Sequence, residues 1–288
     1  MRVSMCDRFA VRLYENRTVA AIADGHQWGN SARKAAKRAV RWFVSTLEQS
    51  LKEATNLKNC GPVLLSSLAH AHERILRSQQ VGSWSRATSL LGGAVFEVDL
   101  NGSQHLENSL RYPFIFSLVS VGRCRCYHFS KQSGLLADHS STTTPGITTG
   151  YIGGIGNPDL RDLNLTYIPC DEDDLIIMCT PGVSDNFDPV LRGEMSENED
   201  NALLRNKMSL ELAQSLVGDN PTVTSVVENW IEHAKQTTRI SREFIEEDSS
   251  RVLSSNRKIH PGKMDHATCI CFRVGRVTLS YREWMSGR

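Results

Sequence analysis

The stretch TVAAIADGHQWGNSARKAAKRAV, from Thr18 to Val40, changes from an apolar segment to a basic one. The apolar half has the residue types of a buried strand. The basic half begins a pattern of apolar residues at helical spacing, which predicts a helix over residues 30–56. Asp24 and Gly25 lie where the strand ends. Such a pair is typical of a turn, and it is also typical of a metal site built on a carboxylate.

The remaining elements follow from hydrophobic periodicity and turn residues. Strands at both ends and helices between them predict one α+β domain over residues 1–288, in which helices cover antiparallel sheets and the chain ends pair. We expect flexible loops at 131–160 and 239–262. The other predicted strands are two short ones within 8–23, those within 87–130, one at 174–180 and a final one at 265–275. The other predicted helices are one at 61–79 and a helical region that begins at 187 and continues over 201–217 and 222–238.

Composition and charge are those of an ordinary globular protein. Of the 288 residues, 40% are hydrophobic and 23% are charged. A net charge of +1 provides no general attraction for nucleic acid or for an anionic membrane. No apolar run is long enough to span a bilayer, and the opening segment MRVSMCDRFAVRLYENR lacks the apolar core of a signal peptide. We therefore expect no nucleic-acid or membrane partner and a cytoplasmic or nuclear location.

Four of the eight cysteines form C-x-C pairs in strand-like segments, Cys124 with Cys126 and Cys269 with Cys271. Residues two apart on a strand share a face, so each pair could offer two thiolates to zinc. The usual zinc spacing is C-x₂₋₄-C with matching partners. The spacing here favours the alternative, in which the thiols stay reduced and pack as small hydrophobic side chains.

Three acids stand at the edges of predicted strands: Asp7, Asp24 and Asp265. Buried carboxylates are costly unless they are paired or bind a metal. Acids that converge at one end of a sheet would suit Mg²⁺ or Mn²⁺, which prefer oxygen ligands, and Gly25 would let a backbone carbonyl approach the ion. Turn and capping roles are the alternative for all three acids.

Five segments decide between these alternatives: RVSMCD, AIADGHQWGN, SVGRCRCYHF, IMCTPGVSDNFDP and GKMDHATCICF. In this order they resemble the R-x-x-M-E-D opening, the D-G-H-G box, the strand ending in G-D-S-R, the T/S-D-G-x-x-D box and the final D-N box of the PP2C (PPM) family of metal-dependent Ser/Thr protein phosphatases. The segment NPDLRDLNLTYIPCDEDDLII is similar to a divergent branch, the animal PP2C-like domain-containing proteins.

The resemblance implies a central antiparallel β-sandwich with helices on both sides and a metal pair in a cleft at one edge. It implies that Asp24 bridges the ions, that Gly25 supplies a carbonyl ligand, and that Asp265 is a terminal ligand. It also implies that Asp7 supports metal-bound water.

The same resemblance implies three catalytic residues, Arg2, Asp24 and His26. Arg2 would clamp the substrate phosphate, a role that suits a planar guanidinium group. His26 would assist proton transfer to the leaving group.

Three substitutions depart from the family pattern. Pro181 and Arg123 stand where the family has metal-site aspartates, and Cys6 stands where it has a glutamate. Proline offers no side-chain oxygen, and arginine brings a positive charge where a negative one is needed. Three acids remain for two divalent ions, so we expect at most one Mg²⁺ or Mn²⁺ ion, if any.

The sequence leaves open whether this protein is an enzyme. We expect a pseudophosphatase, a protein-interaction module that recognises phosphorylated or acidic segments through Arg2 and its neighbours, with Trp28 as a candidate contact residue. The alternative is a weakly active Mn²⁺- or Mg²⁺-dependent Ser/Thr phosphatase.

Overall fold

The computed structural model describes most of the chain. Within the described ranges, no helix is both long enough and apolar enough to cross a lipid bilayer. The ranges are 5–15, 17–26, 28–51, 59–77, 87–97, 112–140, 149–154, 156–196 and 201–276.

Two antiparallel sheets form the centre of the fold. The first has the strand order β1-β2-β3-β4-β7, and the second has the order β6-β5-β8-β9. The strands are β1 Arg8–Tyr14, β2 Arg17–Gly25, β3 Thr88–Glu97, β4 Phe114–Val121, β5 Arg125–Ser130, β6 Leu135–Asp138, β7 Asn164–Cys170, β8 Leu175–Cys179 and β9 Cys269–Arg273.

Helices cover the outer face of each sheet. Two of them pack on the five-stranded sheet, α1 (Asn30–Leu51) and α2 (Cys60–Leu76). Two others pack on the four-stranded sheet, α4 (Ala202–Val217) and α5 (Val223–Thr237). The short helix α3 (Pro181–Ser184) follows β8, and α6 (Arg239–Glu247) follows α5. The predicted α+β class, with a β-sandwich between helices, is therefore confirmed.

Strand β2 is buried on both of its faces. Val19, Ala21 and Ala23 face helices α1 and α2, whereas Ala20 and Ile22 face the space between the sheets. A strand with two buried faces reads as a continuous apolar run instead of an alternating one. This explains why the segment TVAAIA could be identified as a buried strand from the sequence.

Two segments that we expected to be loops contain regular structure. Strand β6 lies within 131–160, and helix α6, Arg239–Glu247, lies within 239–262. Strand β6 has only four residues, and α6 has few apolar residues, so neither gives a strong periodic signal. Residues 141–148 and 155 lie outside the described residues. Their flexibility, and the extent of the single domain, stay predictions.

Two expectations about the arrangement of elements were wrong. Among the described residues the first and last strands do not pair, because β1 pairs with β2 and β9 pairs with β8 in the other sheet. Residues 188–196 lie in turns and do not begin a helix. Hydrophobic periodicity predicts single elements, and it does not determine which elements become neighbours.

The C-x-C pairs lie on different faces of the four-stranded sheet. Cys124 and Cys126 are buried between the sheets, and Cys269 and Cys271 face the helix layer. Neither pair belongs to a group with metal-binding spacing among the described residues. The arrangement agrees with thiols that pack as small hydrophobic side chains.

We predict that Trp230→Ala destabilises the protein by about 3–5 kcal/mol. Trp230 is fully buried, and its ring meets the rings of Tyr127 and Phe187 edge-on at centroid distances of 5.1 and 5.0 Å. The loss would appear as a lower urea midpoint. Trp28→Ala is the matched control, because Trp28 is 62% exposed. Equal shifts in the two variants would contradict the helix packing on the four-stranded sheet.

Candidate functional site

Three acids converge at one end of the sandwich, although they are distant in sequence. Asp7 precedes β1, Asp24 lies near the end of β2, and Asp265 precedes β9. The charges of Asp24 and Asp265 both raise the pKa of Asp7, and the charge of Asp265 raises the pKa of Asp24. Mutual repulsion of this kind requires that the carboxylates lie close together. The structure thus brings together the acids that the sequence singled out.

Asp7 is the most deeply buried of the three acids, with 2% of its surface exposed. The Thr180 hydroxyl donates a hydrogen bond of 2.7 Å to Asp7 Oδ2, and the Thr268 backbone N–H donates to the same hydroxyl oxygen. Asp7 Oδ1 has no hydrogen-bond partner among the described residues. Burial is the largest cause that raises the pKa of Asp7, to about 7. Asp7 therefore retains a proton over much of the acidic range.

Asp24 lies at the centre of the group. Burial and the charge of Asp265 raise its pKa to about 6, whereas Lys263, a hydrogen bond with Asp7, and Arg123 oppose this rise. The carbonyl of Asp24 accepts a hydrogen bond of 2.7 Å from Thr88 Oγ1, which ties the end of β2 to β3.

Gly25 is required by the packing of helix α1. A Cβ atom at this position would lie 2.5 Å from the carbonyl oxygen of Ala32 in the first turns of α1. A contact this short excludes any side chain without movement of the backbone. Close approach of the helix thus accounts for the glycine whether or not its carbonyl binds an ion.

Two cations also lie at this site. Lys263 Nζ is 2.9 Å from Asp185 Oδ2 and 3.3 Å from Asp265 Oδ2. The guanidinium group of Arg123 forms an ion pair with the same Asp185 oxygen. Lys263 was missed by the sequence analysis. Its position two residues before Asp265 was the available signal, because residues two apart in an extended segment share one side.

His26 lies beside the acid group and is held by residues at the start of β3. Its Nε2 atom is 2.9 Å from Ser89 Oγ, and its backbone N–H donates to the Ala87 carbonyl. Burial lowers the pKa of His26, and the charges of Arg123 and Lys263 lower it further. The imidazole is therefore neutral at pH 7. Arg2, the predicted phosphate clamp, lies outside the described residues.

Comparisons with known proteins agree with this arrangement at the level of the fold. No family model matches the chain. The serine/threonine phosphatase of S. agalactiae superposes with a TM-score of 0.57 at 14% identity, over 82% of this chain and 89% of that one. The photosystem II phosphatase PBCP superposes with a TM-score of 0.52 at 17% identity, over 94% of this chain and 92% of that one. The chain has the PP2C-like fold.

A relative by sequence supports the same assignment. The PP2C-like domain-containing protein CG9801 of Drosophila melanogaster is 31% identical over 191 residues, which is 62% of this chain and 25% of that protein. The chain thus spans about a quarter of the length of the curated relative it matches. The resemblance to PP2C-like proteins that the sequence motifs indicated is confirmed.

The substituted positions of the PP2C-like pattern lie around the acid group. Pro181 is the first residue of α3 and is buried. The following Gly182 lies so close to the segment before β9 that a Cβ atom there would be 2.0 Å from the His266 carbonyl oxygen. This close contact holds residues 180–182 beside Asp265. The side chain that points from position 181 carries no oxygen.

Cys6 and Trp28 lie at the margin of the site. Cys6 is buried, with its sulfur 3.6 Å from the Gly29 carbonyl oxygen. The exposed ring of Trp28 packs against the ring of His266 at a centroid distance of 5.0 Å. An exposed aromatic ring therefore stands next to the acids and cations.

We predict that the stability of the metal-free protein depends on pH through Asp7 and Asp24. Their pKa values in the folded chain, about 7 and about 6, lie above the ordinary value of 3.8. The folded state therefore binds more protons than the unfolded state between these limits, and stability falls as the pH rises. From pH 5 to pH 8 the loss is on the order of 3 kcal/mol.

Urea unfolding in EDTA from pH 5 to pH 8 measures this loss for wild type, Asp7→Asn and, as a control, the exposed Asp219→Asn. The Asp7→Asn variant lacks the ionisation and loses less stability with rising pH. Comparison with wild type cancels the opposite contribution of His26. Parallel pH profiles for wild type and Asp7→Asn would contradict the predicted burial of an ionisable Asp7.

Proposed function

We propose that this chain is a pseudophosphatase, a PP2C-like module that binds protein segments in a cleft whose metal site is degenerate. The observation that carries the proposal is the pair of cations at the acid group, Lys263 and Arg123. A side-chain cation that neutralises a carboxylate lowers the attraction of that carboxylate for a metal ion.

The balance of charge supports this proposal. Asp7, Asp24, Asp185 and Asp265 provide four acids, but Lys263 and Arg123 offset two of them. Protonation of Asp7 removes a third negative charge below its raised pKa. Two Mg²⁺ or Mn²⁺ ions bring four positive charges, and this donor set does not fit them. One ion is the most that the remaining carboxylates suit, and it would compete with the ammonium group of Lys263.

The chemistry of individual positions supports the same conclusion. Pro181 contributes no side-chain ligand atom next to Asp265, and Cys6 is a buried thiol next to Asp7. A two-ion phosphatase site needs both ions placed to clamp the attacking and leaving oxygens. We therefore derive no catalytic step through a metal ion in this cleft.

The proposed ligand is a phosphorylated or acidic segment of a partner protein. Arg123 and Lys263 are 41% and 29% exposed, so both can contact a ligand in the cleft. Guanidinium and ammonium groups form charge-assisted hydrogen bonds with phosphate. Trp28 offers an adjacent aromatic surface, and we propose that Arg2 adds a further cation. A cytoplasmic or nuclear location is part of the proposal.

A weakly active phosphatase is the second candidate function. The convergence of Asp7, Asp24 and Asp265 favours it. The charges of neighbouring acids help to raise the pKa values of Asp7 and Asp24, and a bound cation would reduce this repulsion. This candidate requires that one Mg²⁺ or Mn²⁺ ion displaces Lys263 from Asp265.

We predict that the wild-type chain does not hydrolyse p-nitrophenyl phosphate in millimolar Mn²⁺ above the rate of Asp24→Asn. The two rates are the same because no metal-dependent catalysis occurs. The measurement is the release of p-nitrophenol with matched protein concentrations. A wild-type rate that Asp24→Asn abolishes would establish the phosphatase instead.

A restored variant provides the positive control for that assay. Pro181→Asp returns a carboxylate, and Lys263→Ser removes the competing cation. Together they raise Mn²⁺ affinity by about ten-fold or more, because removing one like charge changes binding by more than about 1.4 kcal/mol. Calorimetric titration measures the affinity. Failure of the double variant to gain Mn²⁺ binding would show that Lys263 and Pro181 do not limit it.

We predict that the chain retains phosphoserine peptides over unphosphorylated peptides of the same sequences. The comparison uses a degenerate library in both forms, with wild type, Arg123→Gln/Lys263→Gln and the control Arg273→Gln. Arg273 pairs with Asp173 at the end of β9 away from the cleft. Loss of the two cleft cations reduces retention about five-fold or more. Equal retention of both libraries by wild type would contradict phosphate recognition.

A further inference from the structure

A second group of metal-binding side chains lies apart from the acid group. It consists of His128 on β5, Cys170 at the end of β7 and Asp174 just before β8. One ligand atom from each residue lies within 4.8 Å of the others. Strand β8 runs from this group to Thr180 beside the acids, so the two places are separated by roughly 20 Å along the strand.

The chemistry of this group differs from that of the acid group. It offers an imidazole nitrogen, a thiol sulfur and a carboxylate oxygen. Mg²⁺ and Mn²⁺ prefer oxygen ligands, whereas Zn²⁺ accepts nitrogen, sulfur and oxygen together. Cys170 and Asp174 are at most 1% exposed. His128 lies in the same sheet as Asp174 and faces Cys170 across the sandwich, with its ligand atom within 4.8 Å of both. The donor set therefore selects zinc.

The carboxylate of Asp174 is already held in place by backbone groups. The backbone N–H groups of Lys131 and Asp171 donate to Asp174 Oδ1 and Oδ2 at 2.9 and 2.8 Å. His128 Nε2 is 2.8 Å from Asp174 Oδ2. Hydrogen bonds from outside the ligand set orient carboxylates in metal sites. Replacement of the His128 contact by an ion would leave both backbone contacts intact.

A neighbouring histidine gives independent support for a ligand at this position. The Nε2 atom of His139 is buried and has no hydrogen-bond partner among the described residues. Its ring centroid is 6.0 Å from that of His128. Zinc in proteins is most often four-coordinate. His139 is not among the residues whose ligand atoms lie within 4.8 Å of one another, so it would join the site through a metal-bound water and gain the partner that it lacks.

We propose that His128, Cys170 and Asp174 bind one Zn²⁺ ion, with a water molecule held by His139 at the fourth position. The ion ties β7 of the first sheet to β5 and β8 of the second at the end of the sandwich opposite the acid group. Its role is structural, because it adds a link between the two sheets beside the hydrogen bond from the Asp171 backbone to Asp174. Metal binding of this kind stabilises the folded state.

Zinc binding by the full chain without a polyhistidine tag tests the proposal. The chain is stripped with EDTA, titrated with ZnCl₂, dialysed and measured for zinc content and thermal midpoint. Co²⁺ replaces Zn²⁺ in a parallel sample, because thiolate ligation of Co²⁺ gives a charge-transfer absorption band. The variants are Cys170→Ser and His128→Asn. The controls are Cys124→Ser, which changes another thiol buried between the sheets, and Asp24→Asn, which changes the acid group.

We expect one equivalent of zinc, a zinc-dependent rise in thermal midpoint and the thiolate band in wild type and both controls. Cys170→Ser and His128→Asn weaken zinc binding about ten-fold or more and lose the rise. The thermal midpoint in EDTA separates loss of metal from loss of folding. The proposal is overturned if wild type retains no zinc, if the Co²⁺ sample lacks the thiolate band, or if Asp24→Asn alone removes the metal.

Discussion

A carboxylate that leaves water needs a proton or a cation beside it, and this constraint governs the cleft. Elements of both sheets meet at the same place, so Asp7, Asp24 and Asp265 lie together, with Asp7 buried and the other two partly buried. In a metal-dependent site, divalent ions relieve the repulsion between such acids. Under the proposed function, Lys263, Arg123 and a proton on Asp7 do so from within the chain. The acids can therefore remain where the fold places them without a pair of ions.

The contacts that position the cleft residues also hold the strands and helices together. Gly25 leaves room for the backbone of Ala32, and this contact seats α1 against β2. Thr180 exchanges hydrogen bonds with Thr268 and donates to Asp7, which joins β8, β9 and the segment before β1. Loss of catalytic ligands would leave these contacts in place. A PP2C-like architecture is thus separable from PP2C chemistry, as expected when function depends on a few side chains.

The two groups of potential metal ligands lie at opposite ends of the sandwich and differ in chemistry. The cleft end has carboxylates and cations that are partly open to solvent. The opposite end has His128, Cys170 and Asp174 between the sheets. Hard oxygen ligands and mixed nitrogen, sulfur and oxygen ligands attract different ions. Binding of one kind of metal ion at one end of the sandwich therefore does not predict which ion binds at the other end.

The sequence by itself determined many of the elements and the three acids. Apolar runs identified β2 and β8, helical spacing identified α1 and α2, and the order of five motifs indicated the PP2C-like fold. It also singled out Asp7, Asp24 and Asp265, whose convergence the structure bears out, and it drew attention to Pro181 and Arg123. These features are local, because periodicity and motif spacing are properties of short segments.

Only the tertiary structure decided which distant residues meet. Lys263 became part of the cleft because β9 pairs with β8 and brings its leading segment beside Asp185. Gly25 proved to be required by helix packing, and His128 met Cys170 because the two sheets face each other. Contacts across many residues depend on how sheets and helices stack. A pattern that repeats every two or four residues contains no information about that stacking.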